Sequence, residues 1–190
     1  MKTLKGKKAV VTGVSRQNGI GAAICEALAE AGADIFFTYW SAYDRTMPWG
    51  MEQDEPLRIQ RRLEALGVVF HSLEFDLSKE ESPQILLDKV CESFGVPDIL
   101  VNNACYSVSF VKTFAVEVAE KKITVNAINP GPTDTGWMDE ELKQYLLPKF
   151  PFGRIGTPND AARLVRFLAS DEAEWITGQV IHSEGGFLRR

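Results

Sequence analysis

Residues 12–21 read Thr-Gly-Val-Ser-Arg-Gln-Asn-Gly-Ile-Gly and lie between an apolar run at 9–11 and a helix-like run that follows directly. Gly13 can adopt the backbone torsions of a tight turn, Gly19 removes a Cβ where backbone approaches a ligand, and Gly21 lets the helix pack close to the strand. The N-terminus of that helix offers free N–H groups and a partial positive charge. A glycine-rich loop in this context predicts a binding site for the pyrophosphate of a dinucleotide.

The composition predicts one folded domain over residues 1–190. Hydrophobic residues make up 45% of the chain and charged residues 25%, which is enough apolar surface for a core. The net charge is −5 and the basic residues are scattered, which argues against nucleic acid or an anionic membrane as the partner. No stretch approaches the roughly 20 apolar residues of a membrane span, and none resembles a signal peptide, so we expect a cytoplasmic protein.

The cysteines and histidines predict no metal site. Cys25, Cys91 and Cys105 are an odd number without C-x-x-C spacing, and we interpret them as reduced thiols. His71 and His182 are isolated from any acid or nucleophile pattern, and we interpret both as structural.

Short apolar runs alternate with amphipathic stretches along most of the chain. Such alternation is typical of βαβ units around a parallel sheet that is buried on both faces, so the predicted class is α/β. The predicted strands are 8–12, 34–40, 68–75, 98–102, 123–128 and 179–182, and the predicted helices are 22–31, 55–66, 83–94, 110–121 and 160–169. The loop at 41–55 is long and carries aromatic residues, as functional covers over ligands often do.

Ligand contacts in such a sheet come from the carboxyl ends of its strands. The second strand ends Thr-Tyr-Trp at 38–40, without an acid to accept a hydrogen bond from a ribose 2′-hydroxyl, and Asp34 lies at the opposite end, where we interpret it as a turn residue. Arg16 and Arg45 lie nearby in sequence and suit a 2′-phosphate. The sequence therefore favours NADP over NAD.

Two further strand ends allow alternative interpretations. Asp76 follows the third strand, where it can either bond an adenine amino group or act as N-cap of the helix after Ser78. Asn102 and Asn103 follow the fourth strand and either contact a ligand or close turns.

Together these motifs resemble the short-chain dehydrogenase/reductase family, with nearly every segment taking part. The matching segments, in chain order, are the loop at 12–21, Asp76-Leu77, Asn102-Asn103-Ala104, Val125-Asn126, Pro130-Gly131, 153–158, 167–170, 176–179 and 184–186. The resemblance implies a Rossmann-type doubly wound parallel sheet in three α/β/α layers and a nicotinamide cofactor. It also implies hydride transfer to or from a small-molecule carbonyl or alcohol. The subgroup that looks most similar is the 3-oxoacyl thioester reductases.

The resemblance also assigns cofactor contacts. Those to pyrophosphate and ribose are Gly13, Ser15, Arg16, Gly19, Ile20 and Gly21; those to adenine are Asp76 and Leu77; and those to ribose are Asn103 and Ala104. Pro130, Gly131, Thr133 and Thr135 would hold the nicotinamide side. The glycine loop departs from the family by two extra residues, Gln17 and Asn18, and Cys105 stands where the family usually has glycine.

The catalytic residues of the family have no counterpart in the chain. The family uses a Tyr as proton donor, a Lys four residues later that lowers its pKa, and a Ser that polarises the substrate oxygen. Family spacing counted back from Ile123 places the Tyr and Lys near Leu100 and Ala104, which belong to the preceding motif. Tyr145-Leu-Leu-Pro-Lys149 has the right spacing but contains a helix-breaking proline, so we do not interpret it as catalytic.

The spacing indicates that a segment is absent near 107–110. A βαβ unit takes roughly 30 or more residues, and the deficit against the family is roughly 50. Ser107 and Ser109 read as loop serines, and Lys122 stands where a helix-ending glycine is expected. We expect an oxidoreductase whose catalytic segment is omitted from these 190 residues. The alternative is a nucleotide-binding pseudoenzyme or interaction protein. The family's dimer or tetramer is also an expectation, although the helices that build its dimer face flank the missing strand.

Overall fold

The structure is a computed structural model that describes residues 3–47, 50, 52–103, 115–116 and 118–188. The chain divides into two compact units, residues 1–104 and residues 105–190. Within the described ranges, no helix is long and apolar enough to cross a membrane.

The N-terminal unit alternates strands and helices, as the sequence predicts. Its elements are β1 (Lys8–Val11), α1 (Ile20–Glu30), β2 (Asp34–Tyr39), α2 (Ser41–Asp44), α3 (Glu55–Ala65), β3 (Phe70–Glu74), α4 (Ser82–Ser93) and β4 (Ile99–Val101). The strands form a parallel sheet in the order β3-β2-β1-β4. This is half of a doubly wound sheet, and it aligns the carboxyl ends of four strands along one edge.

Helices cover both faces of this sheet. On one face, Val10 and Phe36 pack with Leu86, Val90 and Phe94 of the α4 region. Successive side chains of a strand point to opposite faces, so the neighbours of Val10 and Phe36 face the other layer. There α1 contacts β1, β2 and α3. The buried residues of that layer include Val11, Leu28, Ile35, Phe37, Ile59 and Leu63.

Local sequence signals set the ends of these helices. Pro56 and Pro83 lie in the first turns of α3 and α4, where a missing N–H costs nothing. Gly32 and Gly67 follow α1 and α3 with φ angles of +99° and +72°; Ala-Gly at 31–32 and Leu-Gly at 66–67 predict such helix ends from sequence, and the structure confirms both. Cys25 is fully buried in α1, and burial raises the pKa of its thiol, which keeps it protonated.

The C-terminal unit contains a smaller sheet, two α-helices at 140–146 and 158–168, and α-helical residues at 115, 116 and 118 among its described residues. Its elements are β5 (Ala127–Asn129), α5 (Glu140–Leu146), α6 (Pro158–Leu168) and β6 (Val180–His182), with 3₁₀ turns at Ala119–Lys121, Leu147–Lys149 and Asp171–Ala173. Strands β5 and β6 pair in parallel, with Ala127 opposite Val180. Met138, Leu146 and Phe150 form a local apolar cluster.

The N-terminus of α6 carries the strongest polar anchor of this unit. Thr157 and Asp160 form a reciprocal capping box, and Arg154 donates two hydrogen bonds to Asp160 at 2.7 and 2.8 Å. The Arg154 guanidinium therefore holds the pKa of Asp160 well below its usual range.

The six predicted strands are all present, with shifted ends. Strand β5 begins at Ala127 rather than at 123. The predicted helix at 110–121 falls largely outside the described residues; of those described, 115, 116 and 118 are α-helical and 119–121 form a 3₁₀ turn. Lys122 follows that turn with a φ of +57°, the left-handed conformation expected of a glycine. The long loop at 41–55 contains the short helix α2. The extent of a single domain over 1–190 stays a prediction.

Candidate cofactor-binding site

The glycine loop begins where β1 ends at the carboxyl edge of the sheet. Gly13 has a φ of +72°, which confirms the predicted tight turn. The loop is tied to the next strand because the Val14 N–H donates to the Thr38 carbonyl at 2.7 Å. Ser15 is buried, and its hydroxyl accepts a hydrogen bond from the Trp40 amide at 3.4 Å.

Gly21 packs against the loop as the sequence predicts. A Cβ at Gly21 would lie 2.8 Å from the Gly13 carbonyl oxygen, 2.9 Å from Asn103 Nδ2 and 3.1 Å from a methyl of Val14. Atoms do not approach so closely, so only glycine fits without displacement. Ile20, the other predicted contact of this stretch, begins α1, so the free N–H groups of that helix lie beside the loop.

The two extra residues of the loop form the corner of a turn. The Gly19 N–H donates to the Arg16 carbonyl at 3.0 Å, and Gln17 and Asn18 are the residues between them. A Cβ at Gly19 would meet that carbonyl at 3.1 Å. The lack of a Cβ at Gly19 therefore avoids a close contact within this turn. The sequence predicts a different reason for this glycine, the approach of the backbone to a ligand.

The asparagines at the end of β4 hold the glycine loop rather than merely closing their own turn. Asn103 Nδ2 donates to the Gly13 carbonyl at 2.9 Å, and the Thr12 hydroxyl donates to Asn102 Oδ1 at 3.0 Å. Asn103 was a predicted ribose contact, whereas the role of Asn102 was missed. The available signal was a pair of asparagines at the end of a strand adjacent to the glycine-loop strand. Ala104 lies outside the described residues.

The end of β2 contains no acid, but a carboxylate reaches it from the neighbouring strand. Glu74 accepts a hydrogen bond from the Ser41 amide at 3.1 Å. Burial, and then the charge of Glu74, raise the pKa of Tyr39. The Trp40 and Tyr43 rings stack 5.8 Å apart. Asp34 accepts from the Val69 amide at 2.9 Å at the opposite end of the strand; it is the first residue of β2, paired with Lys8, rather than the turn residue that the sequence predicts.

Asp76 forms a local turn after β3. It accepts a hydrogen bond from the Ser78 amide at 2.8 Å, and hydrogen bonding by Ser78 lowers the pKa of its carboxyl group. The N-cap of α4 is Glu81, so the prediction of Asp76 as a helix cap is wrong: three more residues separate Ser78 from the helix. Leu77, a predicted adenine contact, packs against the apolar cluster around Val10.

The predicted nicotinamide-side residues lie in the C-terminal unit, directly after β5. Gly131 has a φ of +62°, and its amide donates to Asn129 Oδ1 at 3.0 Å. A Cβ at Gly131 would lie 2.7 Å from the Cβ of Glu184, so this glycine permits close packing against the tail. Asn129 also accepts a backbone hydrogen bond from Ser183. Its role in shaping the loop was missed by sequence reasoning.

The rest of that loop is held by the segment at 153–158. Thr133 is buried, donates to the Gly131 carbonyl at 3.2 Å and forms a parallel bridge with Gly156. Pro130 and Thr135 lie in the same connection between β5 and α5. Although burial opposes it, hydrogen bonds from the Gly136 amide and Lys143 lower the pKa of Asp134.

The Tyr145 and Lys149 pair lies on the surface of the C-terminal unit. The Tyr145 side chain is 62% exposed, and the Lys149 ammonium lies 3.8 Å from its ring centroid. Lys149 lowers the pKa of Tyr145. His71 stacks on Phe36, as a structural histidine would.

Two family models cover nearly the whole chain. A model described as short chain dehydrogenase matches residues 7–109, and one described as Enoyl-(Acyl carrier protein) reductase matches residues 106–188. The first therefore contains the glycine loop and β4, and the second contains the loop after β5.

Curated relatives align from end to end. The chain is 37% identical to the uncharacterized oxidoreductase YjdA of Bacillus subtilis, with 96% of this chain and 97% of YjdA covered. It is 28% identical to the 3-oxoacyl-[acyl-carrier-protein] reductase FabG of Aquifex aeolicus, with 97% and 98% covered. It is 26% identical to a versicolorin reductase of Emericella nidulans, with 98% and 97% covered.

A solved short-chain dehydrogenase/reductase from Serratia marcescens has the same fold. The TM-score is 0.80 at 23% sequence identity, and 97% of this chain and 99% of that chain are covered. This likeness confirms the predicted Rossmann-type α/β/α fold. The family matches and the 37% identical relative show that the chain belongs to the short-chain dehydrogenase/reductase family of NAD(P)-dependent oxidoreductases.

Proposed function

We propose that the protein binds NADP(H) through the glycine loop at 12–21 and serves oxidation or reduction of a small carbonyl or alcohol. The observation that carries this proposal is the interlock of Gly13, Gly21 and Asn103 at the carboxyl edge of the parallel sheet. It keeps the start of α1 beside a loop of backbone N–H groups, the arrangement that binds a pyrophosphate. Pro130, Gly131, Thr133 and Thr135 remain the proposed nicotinamide-side contacts.

The preference for NADP rests on the end of β2. The residues at 38–40 carry no carboxylate, and the nearby Glu74 already accepts a hydrogen bond from the Ser41 amide. A carboxylate that accepts from a ribose 2′-hydroxyl would repel a 2′-phosphate, whereas an arginine such as Arg16 attracts it. We therefore expect tighter binding of NADPH than of NADH, and parallel fluorescence titrations of the two measure the difference.

A 3-oxoacyl thioester is the substrate to test first. The name of the 28% identical relative states that it reduces 3-oxoacyl groups on acyl carrier protein, and the other named relative is a versicolorin reductase. Because the two names give different substrates, they support ketones as the substrate class rather than one particular ketone. A panel of ketones and oxoacyl thioesters, followed by NADPH absorbance, tests the class.

We further propose that hydride transfer requires a segment between β4 and β5 that these 190 residues lack. Strand pairing supports the proposal, because β4 pairs with β1 and β5 pairs with β6, with no strand between them in the described part of the chain. Within the row Phe36, Val10 and Leu100, paired across neighbouring strands, the first two side chains are buried and Leu100 is 68% exposed. Parallel sheets are normally covered on both faces, so Leu100 marks a position that the described residues of the N-terminal unit leave without a cover.

The comparisons support the same proposal. The alignment with YjdA spans 254 residues, more than the 190 of this chain, so it contains positions of the relative without a counterpart here. The two family models change over at 106–109, where the sequence predicts the join. We place the catalytic Ser, Tyr and Lys of the family in that segment.

The mass of the purified protein is the decisive measurement. A value above 21.1 kDa by several kilodaltons supports the omitted segment, and a value of 21.1 kDa contradicts it. At 21.1 kDa the second candidate function takes over: a nucleotide-binding protein that transfers no hydride. That alternative is favoured because the Tyr-x-x-x-Lys match at Tyr145 to Lys149 contains the helix-breaking Pro148 and is not at the family's position. NADPH binding without turnover would then be expected, and light scattering would report whether the chain forms the dimer or tetramer of the family.

A further inference from the structure

The two-residue insertion in the glycine loop contacts helix α3. Gln17 and Asn18 form the corner of the turn that the Gly19 amide closes onto the Arg16 carbonyl. The corner amide of such a turn points outward and needs an acceptor of its own. The carboxylate of Glu55, the first residue of α3, is that acceptor: Gln17 N–H donates to Glu55 Oε1 at 3.1 Å.

Glu55 uses its second oxygen on its own approach segment. Glu52 N–H donates to Glu55 Oε2 at 3.1 Å, so one carboxylate joins the glycine loop to the end of the loop at 41–55. Glu55 and Gln17 are both partly buried, where water competes less for the Gln17 amide than it does at the surface.

A second residue of α3, Arg62, supports the same corner through the side chain of Gln17. Arg62 donates one hydrogen bond to Gln17 Oε1 at 3.2 Å and another to Glu26 Oε1 of α1 at 2.8 Å. Arg62 is about half exposed, so its ion pair with Glu26 adds little stability. Its two hydrogen bonds nevertheless connect the insertion with α1 and α3. Because the ion pair adds little stability, the bond from the Gln17 amide to Glu55 is the principal support of the corner.

We propose that Glu55 is a positioning residue for the cofactor loop, which acts by holding the Gln17-Asn18 corner through the Gln17 amide. The corner lies between Arg16 and Gly19, two proposed cofactor contacts, so fixing it fixes the backbone on either side. A loop of the usual family length has no such corner and needs no acceptor at this place. The inference rests on the proposed cofactor site, because the loop is positioned for NADP(H).

The test compares Glu55→Ala, Glu55→Gln and Glu64→Ala. Glu64 is an exposed glutamate near the other end of α3, so its replacement removes the same charge far from the corner. Hydrogen exchange of residues 12–21 in the cofactor-free protein reads the brace directly. We expect roughly tenfold faster exchange at Gln17 and Gly19 and roughly tenfold weaker NADPH binding in Glu55→Ala. Glu64→Ala should behave as the unsubstituted protein.

Glu55→Gln separates positioning from charge. Its amide oxygen can still accept from the Gln17 N–H, and its NH2 group, which cannot accept, replaces the oxygen that faces the exposed Glu52 amide. The loop should therefore exchange slowly, and NADPH affinity should stay within about threefold of the unsubstituted protein. If Glu55 acted through its charge, Glu55→Gln would resemble Glu55→Ala, and the proposal would be overturned.

Deletion of Gln17 and Asn18 supplies a second, independent test. In a protein with the shortened loop, Glu55→Ala should cost no further NADPH affinity, since the contact it removes is already gone. Additive losses would overturn the proposal. If the unsubstituted protein fails to bind NADPH, the proposed function is wrong. Hydrogen exchange at Gln17 still decides whether Glu55 holds the loop. Unchanged exchange in Glu55→Ala contradicts the positioning role of Glu55 in either case.

Discussion

The N-terminal and C-terminal units differ in how completely their strands are buried. Strand β2 has neighbours on both sides, and its four central residues are buried, including Ile35 and Phe37. Strands β5 and β6 pair with each other, and none of their residues is fully buried; Val180 is 39% exposed. Apolar strands are thus buried in the sheet of the N-terminal unit, as β2 is, and partly exposed in the C-terminal unit, as β5 and β6 are.

This difference shows that an apolar sequence allows a strand to be buried, whereas the strands that pair with it and the elements that pack on it decide whether it is buried. A three-residue strand with one partner leaves an edge and much of its face to solvent. Strand β4 shows this at the border of the N-terminal unit, where Leu100 is exposed although its register partner Val10 is buried. Four substitutions sharpen this contrast, from the largest expected effect to the smallest.

Gly21→Ala tests the tightest packing of the N-terminal unit. The new methyl would have to displace the Gly13 carbonyl or the Asn103 amide, so we expect a loss of about 1–3 kcal/mol in the free energy of unfolding. NADPH binding should weaken with it. Urea unfolding measures the first effect and fluorescence titration the second. Gly19→Ala is the control, because Gly19 has an ordinary φ of −80°, and it should cost less; an equal cost would contradict the packing argument.

Asp160→Asn tests the polar anchor of the C-terminal unit. Loss of the charged cap and its Arg154 partner should cost about 1–2 kcal/mol at neutral pH. The folded-state pKa of Asp160 is depressed, so its contribution is complete above its ordinary pKa of about 3.9 and is lost as the pH falls through the folded value. The difference in urea midpoint between the two proteins should therefore shrink below about pH 4. Glu172→Gln, at an exposed site, should leave that midpoint unchanged; a pH-independent gap for Asp160→Asn would speak against the ion pair.

Lys122→Gly tests the strained connection that precedes β5. A side chain in the left-handed conformation costs about 1 kcal/mol that glycine does not pay, so this substitution should stabilise the protein by about 0.5–1 kcal/mol. Lys121→Gly, inside the 3₁₀ turn, should instead destabilise it. Thermal unfolding of both variants gives the comparison, and destabilisation by Lys122→Gly would contradict it.

Leu100→Thr tests the uncovered face of β4. In the 190-residue chain we expect a change below about 0.5 kcal/mol, because Leu100 is already largely in solvent. Val10→Thr, its buried register partner, should cost about 1–3 kcal/mol. In a protein that contains the proposed segment, the two costs should become similar. A large cost for Leu100→Thr in the present chain would mean that the face is covered.

Much of the fold was predictable because its signals are local. Six strands and the glycine stops after α1 and α3 follow from apolar runs and backbone preference, which neighbouring residues determine. The helix at Glu140–Leu146 was missed because it is short and mostly polar, and its N-cap Asp139 was overlooked. One of the two interpretations of Asp76 made it a helix cap, because an aspartate shortly before a helix-like stretch resembles an N-cap in sequence.

The candidate site was predictable where one residue type is obligatory. Gly13 and Gly21 were identified because no other residue suits a positive φ or a 2.8 Å approach. Asn102 and Glu55 were missed, since the side chain of each bonds a partner distant in sequence, Thr12 and Gln17 respectively. Asn129 was missed although its side chain accepts from the Gly131 amide only two residues away. A polar side chain does not indicate which distant group it will bond.

The sequence by itself therefore determined the class of this protein and the place of its glycine loop, and it predicts that the family's catalytic Tyr and Lys are not among these 190 residues. Each of these depends on residue identity and order along the chain. The tertiary structure decided which side chains brace the loop and which strand faces are left exposed. Those properties depend on groups brought together from positions 36 to 90 residues apart, as Glu26 with Arg62 and Gly13 with Asn103 show.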